Sequence, residues 1–411
     1  MKKILFYATS PNQIIGYGKI GNLISNYLSS LKDEVELIYF SVGNFQYSKV
    51  DNRKIDPNIN FIDVVKIEQE RGVDTNMGID IIEEFYLKIK PDIFLIYYDL
   101  ITTYCVLKKL EKYKDLKTTK FVSYIDLVCP FENINLVNYL DRMTDLIFVF
   151  TDFWKSNLCK IGINEKKICI FYHVVIDEYI KNICKKEARK YLNINEEDFV
   201  ILNTNRNCYR KAIDITIRSF IKFFKEENMN KKIKLFLNMF LNTNAGYDII
   251  NCIYTSCIEE GIKFDDVKNQ ILTPPNEMIG NVSDEMMNII YNACDVGINS
   301  SIAEGFGLCN FEHAYLGSPQ IVSKVGGIQD IFTNEFSYVV NPEITVYMPN
   351  TMNKHTGHIS YCRYENFTDG MKYYFHNSDK LKEHGEIVKN YIKKKYNFNN
   401  ILKKFYFDLM F

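Results

Sequence analysis

The chain has 411 residues and a mass of 48.3 kDa, enough for two or three domains at roughly 100–200 residues each. Apolar residues at 47% and charged residues at 25% exclude a disordered chain, a collagen-like chain and a small disulfide scaffold. Fifty Lys and Arg against 51 Asp and Glu leave a net charge of -1, so nucleic acid is not expected as a partner.

Met1-Lys2-Lys3 is followed by Ile4–Ala8, an apolar run too short for a signal-peptide core, which reads as a first strand. Further strand-like runs are Glu36–Phe40, Ile93–Tyr98, Phe121–Tyr124 and Leu146–Phe150. They are nearly continuous in apolar character, as strands buried on both faces are. Helical patterns over Ile20–Leu31 and Ile79–Lys90 separate them, the latter stopped by Pro91. Lys108, Lys109, Lys112, Lys114, Lys117 and Lys120 form a basic stretch diluted by Glu111 and Asp115. It reads as a solvated helix face and leaves room for a peripheral membrane contact.

The alternation then restarts with strands over Phe199–Asn203, Ile233–Asn238, Val267–Leu272 and Val296–Asn299, and helices over Ile213–Phe224, Tyr247–Glu260 and Glu285–Ala293. Two successive runs of this kind predict an α/β chain with two Rossmann-like, doubly wound parallel domains. The seam falls between Val175 and Arg189, giving domains over 1–176 and 177–385, with a terminal helix over 386–411 that packs back on the first domain. Glu343–Phe367 reads as a surface loop or hairpin insertion. His355 and His358 within it form H-x-x-H without further ligands nearby, so no metal is expected there. The 11 Cys contain no C-x-x-C and read as free thiols of a reducing compartment. With no apolar run of about 18 residues, no membrane span is expected, and the location is read as cytoplasmic.

Three passages carry chemistry. In Asp295–Ile331 a strand enters a loop containing Gly305 and Gly307, and a helix starts near Leu308. The glycines admit a ligand to the backbone, and the free N–H groups of the helix start suit a phosphate. Glu304 and Glu312, with seven residues between them, would repel phosphate and suit sugar hydroxyls instead. In Asn203–Asp214, Arg206 and Lys211 flank a strand-to-helix turn, where two cations would neutralise a diphosphate. Arg210 adds a third cation, or sits with Lys211 as a solvated turn residue. In Ser10–Leu28, Gly16, Gly18 and Gly21 match G-x-G-x-x-G between a strand and a helix. Phe40-Ser41 offers no acidic residue for a ribose, which argues against NAD.

In order along the chain these passages resemble the retaining glycosyltransferases of family 4, which have the GT-B fold. Glu304–Glu312 is similar to the family's E-x7-E motif, Gly305-Phe306-Gly307 to its EGFG turn, and Val325–Ile328 to its VGG segment. Ser318-Pro319 resembles the G-x-P-V segment, Arg206 with Lys211 the R-x4-K pair, and Gly16-Tyr17-Gly18 the N-terminal Gly-rich loop. Val282–Glu285 resembles the segment beside the donor base. The resemblance implies two domains around a cleft and a nucleotide-diphospho-sugar donor bound without a cofactor or essential metal. Arg206 and Lys211 would stabilise the departing diphosphate, and Glu304 with the backbone of Gly305, Phe306, Gly307 and Leu308 would hold the sugar and phosphate. Glu312 would accept from the ribose, and Gly16 and Gly18 would lie on the donor side. The absence of any D-x-D agrees with cationic side chains in place of a divalent metal. Where the family has His-Asp, this chain has Ile125-Asp126. Asp126 is the acceptor-side candidate, together with His173, which the missing Pro and Gly of its segment would let face the cleft and for which a structural role is the preferred reading.

The expected activity is transfer of a hexose, GDP-mannose being the favoured donor, to a glycan or lipid-linked hydroxyl. The alternatives are a catalytically silent nucleotide-sugar-binding protein and a nucleotide-sugar epimerase. A homodimer is compatible with the sequence.

Overall fold

The computed structural model describes residues 1–43, 51–73, 76–244, 246–275, 278–279, 282–348 and 356–411. They form two compact units. One comprises Met1–Val174, the segment ending at Gly357, and Phe398–Phe411; the other comprises Val175–Met348 and His358–Asn397.

The first unit is built on a parallel sheet of β1 (Lys2–Thr9), β2 (Val35–Val42), β3 (Asn60–Asp63), β4 (Ile93–Asp99), β5 (Lys120–Asp126), β6 (Leu146–Val149) and β7 (Ile168–Ile170). Their order is β3-β2-β1-β4-β5-β6-β7. Ile4–Ala8 are fully buried, as the continuous apolar run requires when helices cover both faces. Asp99 ends β4 and starts the next helix, Leu100–Leu110, by accepting from Thr102 N at 2.8 Å. The helix Phe398–Met410 presents Leu402, Phe405 and Leu409 on one stripe and buries all three. The Phe405 ring lies 4.3 Å from Phe171 and 4.9 Å from Phe148.

The second unit repeats the plan with β8 (Phe199–Asn203), β9 (Ile233–Leu237), β10 (Ile271–Leu272), β11 (Val296–Asn299), β12 (Gln320–Ser323) and β13 (Tyr338–Val340). They lie parallel in the order β10-β9-β8-β11-β12-β13. The helix Ile213–Glu226 seals one face with Ile213, Ile217, Phe220, Ile221 and Phe224, all fully buried. A ribbon of β14 (Ile344–Met348) and β15 (Gly357–Tyr361) is anchored where Ser360 N donates to Ile302 O at 2.9 Å. Strand order reverses between β1 and β4 in the first sheet and between β8 and β11 in the second. Ligands of such folds bind beyond the strand ends at these reversals.

Three elements differ from the sequence reading. Val267–Leu272 is not one strand: Phe264–Val267 is helical, Lys268–Gln270 is a 3-10 turn, and only Ile271–Leu272 pair. Asp265 and Asp266 favour a helix start, and Lys268, Asn269 and Gln270 break the apolar run. The helix expected from Ile79 begins at Ile82, because Met77 and Gly78 hold positive φ. The terminal stretch expected as one helix over 386–411 is two, Ser378–Lys395 in the second unit and Phe398–Met410 in the first. His355 lies outside the described residues.

Candidate functional site

The site of the second unit is assembled by the turns after β8 and β11. After Asn203 the chain crosses into a 3-10 turn, Tyr209–Lys211, and Ala212 takes a left-handed φ of 44° before the helix at Ile213. Asn207 pins this turn by donating to Phe240 O at 2.9 Å and Tyr247 O at 2.7 Å. Lys211 is thereby turned inward. It is 6% exposed, and its Nζ meets Glu304 Oε2. Arg210 joins from the same turn, its Nη1 3.6 Å from Glu304 Oε1 and 3.1 Å from Ala303 O. Arg206 is exposed and, among the described residues, forms no ion pair. The turn thus holds two cations at Glu304 and keeps a third in solvent.

Glu304 is buried. Its Oε2 also accepts from Ser301 Oγ at 3.2 Å and Asn299 Nδ2 at 3.3 Å. Burial alone would raise its pKa, but the Lys211 ammonium, the Arg210 guanidinium and these hydrogen bonds outweigh it and hold the carboxyl at about 2. Burial pushes the Lys211 pKa down, against the pull of Glu304. The carboxylate is therefore charged at any working pH.

Gly307, at φ 83°, turns the chain into the helix Leu308–Tyr315. The following Val325–Ile328 segment packs flat on the loop: Gly327 N donates to Glu304 O at 3.0 Å, and a Cβ on Gly326 would stand 1.9 Å from that same oxygen. Phe306 is 2% exposed and packs edge-on against Phe311 at 5.0 Å, so it offers a ligand only its backbone. Glu312 is also buried and accepts from Tyr291 Oη at 3.0 Å. Burial raises the Tyr291 pKa, so the phenol keeps its proton and serves as donor.

In the first unit the Gly-rich turn follows β1. A Cβ on Gly18 would fall 2.5 Å from Gln13 O, so the turn closes tightly, while Gly16 opens the helix Gly16–Ser30 at an exposed position. Tyr17 between them donates to Asp126 Oδ2 at 2.5 Å and stacks on Tyr98 at 5.0 Å. Asp126 ends β5 in register with Asp99 at the end of β4. His173 lies in the core: it is 5% exposed, its Nδ1 shares a hydrogen bond with Tyr124 Oη at 2.9 Å, and burial lowers its pKa to about 3. Its imidazole is neutral and lies among aromatic rings, 4.5 Å from Phe150 and 5.8 Å from Tyr124.

Most of the basic stretch is neutralised. Lys108 meets Glu111, Lys109 meets Asp80, Lys112 meets Glu83 and Lys114 meets Asp145. No helix among the described residues is long and apolar enough to cross a membrane. All eleven cysteines are free thiols.

Residues 185–346 match the family model described as glycosyl transferases group 1. An uncharacterized glycosyltransferase of Methanocaldococcus jannaschii, MJ1607, is 24% identical over 198 residues, a match spanning 46% of this chain and 46% of that protein. The sucrose-phosphate synthase of Thermosynechococcus elongatus superposes with a TM-score of 0.72 at 11% identity, over 98% of this chain and 97% of that one. HepE of Anabaena, solved with UDP-glucose, superposes with a TM-score of 0.67 at 13% identity, over 98% of each chain. The fold is GT-B, two Rossmann-like units with parallel sheets, and the match to the family model lies within the second of them.

The sequence reading undervalued four residues. Arg210, next to Lys211, contacts Glu304 where Arg206 does not. Asn299 and Ser301 were signalled only by polar residues at the end of an apolar strand. Tyr17 was hidden inside its glycine motif.

Proposed function

We propose that this chain is a retaining glycosyltransferase that moves a hexose from a nucleotide-diphospho-sugar to a hydroxyl of a glycan or lipid-linked acceptor, without a metal ion. The observation that carries the reading is the buried Lys211–Glu304 pair with Arg210 beside it, at the strand-order reversal of the second unit and just ahead of the helix at Leu308. An uncompensated carboxylate would expel a diphosphate; one already matched by two cations can face sugar hydroxyls while neighbouring cations meet phosphate.

In this reading the acceptor oxygen bonds to the sugar C1 on the face the diphosphate is leaving. The C1–O bond to phosphate breaks, and the hydroxyl proton passes to the departing phosphate oxygen. Arg206, exposed and without an ion pair among the described residues, together with Lys211, Arg210 and the N–H groups at Leu308, stabilises the charge that grows on the diphosphate. Glu304 and the backbone of Gly305, Phe306 and Gly307 hold the sugar, and Glu312 accepts from the ribose. Asp126 is the acceptor contact, and Gly16 and Gly18 are on the donor side.

Titration calorimetry with GDP-mannose, UDP-glucose, UDP-N-acetylglucosamine and NAD, each with and without EDTA, tests this. The EGFG turn favours GDP-mannose; the UDP-glucose complex of HepE supplies the rival donor. Micromolar binding of one nucleotide sugar, unchanged by EDTA, is the expected outcome. Binding of NAD alone would overturn the reading.

A further inference from the structure

The charged pair at Glu304 is backed by a chain of buried amides that the transfer chemistry itself does not call for. Asn299 Nδ2, 3.3 Å from Glu304 Oε2, also donates to Asn310 Oδ1 at 2.9 Å. Asn310 Nδ2 donates to Gln320 Oε1 at 2.8 Å, and Gln320 Nε2 donates to Ser318 O at 2.8 Å. Asn299 Oδ1 accepts from Ser301 N at 3.0 Å. Asn299, Asn310 and Gln320 are all buried and stand on three elements: β11, the helix at Leu308, and β12. The sequence makes room for the chain at Gly297, paired with Gln320 across the sheet, where a Cβ would lie 1.9 Å from Gln320 Oε1.

Three amides in an apolar strand-and-helix sandwich would be replaced at no loss by leucine or methionine if packing were their purpose. Their direction is informative. Each amide has its donor fixed by the acceptor of the next, so the Asn299 Nδ2 has one orientation open to it, the one that also faces Glu304. Glu304 Oε2 is then saturated by Lys211, Asn299 and Ser301, whereas among the described residues Oε1 meets the Arg210 guanidinium alone, at 3.6 Å.

We propose that Asn299, Asn310 and Gln320 are positioning residues that lock the Glu304 carboxylate with Oε2 turned into the protein and Oε1 presented to the transferred sugar. The inference rests on the assignment of Glu304 to the sugar made above. The same helix carries Glu312, so the chain also ties the sugar-binding carboxylate to the element that holds the ribose-binding one.

The test is Asn310→Leu, of similar volume, with the near-isosteric Gln320→Met as a second break in the chain should the first fail to fold. Steady-state kinetics and titration with nucleoside diphosphate and with the intact nucleotide sugar are measured for both, and again in a Glu304→Gln background. Loss of the lock should lower kcat about tenfold while leaving the affinity for nucleoside diphosphate within twofold. In the Glu304→Gln background the same substitution should cost less than twofold more, because the residue it acts through is already disarmed. A merely structural role would lower kcat equally in both backgrounds and would overturn the proposal, as would a kcat unchanged in either variant. A wild-type chain that binds no nucleotide sugar removes the underlying reading instead, an outcome distinct from active wild type with indifferent variants.

Discussion

At its strand-order reversal the second unit buries charge, whereas the first buries phenols. Lys211, Glu304 and Arg210 meet at the ends of β8 and β11. Around the ends of β1, β4 and β5 lie Tyr17, Tyr97 and Tyr98, with Tyr17 donating to the Asp126 carboxylate. Both sheets share one winding, so the winding does not decide the chemistry. The residues placed on two or three turns do. A buried ion pair is costly to assemble and more costly to break, which makes the second unit the one whose site residues also bear on stability. The phenol-lined edge of the first unit can lose a hydroxyl without leaving a buried charge behind.

The largest effect that separates the units is expected from Lys211→Ala. It removes the closest cation from the buried Glu304 carboxylate and leaves only the more distant Arg210 guanidinium as counter-charge, so the chain should lose about 3 kcal/mol of stability and turnover should fall on the order of a thousandfold. Chemical denaturation and donor-dependent kinetics check this. Restoring stability but not turnover with the added Glu304→Gln would separate the structural share from the chemical one. Activity within about twofold of wild type would remove Lys211 from the site.

Phe405→Ala aims at the first unit alone. The ring fills the space between Phe171 and Phe148, so its loss should cost about 3–5 kcal/mol there. Trp154, the one tryptophan of the chain, is fully buried in this unit, and its fluorescence should report earlier unfolding. Unchanged melting by this probe would mean that the terminal helix contributes little to the unit.

Much of this was readable from sequence because continuous apolar strands and glycine-marked turns are local signals. The turn from Asn299 to Leu308 and the cationic turn before Ile213 were found that way. The partnerships were not. Nothing in the spacing of Arg206, Arg210 and Lys211 shows that the left-handed Ala212 turns Lys211 inward and leaves Arg206 in solvent. For His173 the sequence offers both a cleft position and a structural role, and its burial is set by rings from β5 and the segment after β6 that its own neighbours do not reveal. The 267–272 run misled because a helix end followed by a two-residue strand has the same apolar count as one strand.

Acid should weaken both units through their buried histidines. His173 in the first and His313 in the second are held at about 3 by burial. Below the unfolded value near 6.5 the unfolded chain binds a proton that the native imidazole refuses, so stability falls with pH by about 1.4 kcal/mol per unit for each histidine. Glu304 acts in the second unit only at lower pH. Its pKa is depressed, so its contribution is present above the usual carboxylate range and is lost as pH falls toward about 2. Between pH 7 and 5 each of these two histidines should therefore cost its unit about 2 kcal/mol, and the second unit loses more through His384, whose pKa burial also lowers. Below pH 4.5 the second should fall faster. Melts followed by Trp154 fluorescence against whole-chain circular dichroism resolve this, and a second unit that never diverges from the first would contradict the charge assigned to Glu304.

The smallest effect is the most discriminating. Tyr17→Phe keeps the ring stacked on Tyr98 and removes only the hydroxyl that donates to Asp126. Burial, then the neighbouring Asp126, raises the phenol's pKa, so at neutral pH it is a donor, and its loss removes one hydrogen bond from a partly buried carboxylate. Stability should change by no more than about 1 kcal/mol. If Asp126 contacts the acceptor, its orientation is what changes: the acceptor KM should rise about threefold to tenfold, with donor KM and nucleoside diphosphate affinity unaltered. An equal rise in donor KM would mean that the hydroxyl also sets the glycine turn for the donor. No change in either would make the Tyr17–Asp126 contact a structural tie between the Gly-rich turn and β5, leaving the first unit's phenols as packing and the second unit's charges as the whole of the chemistry that side chains supply.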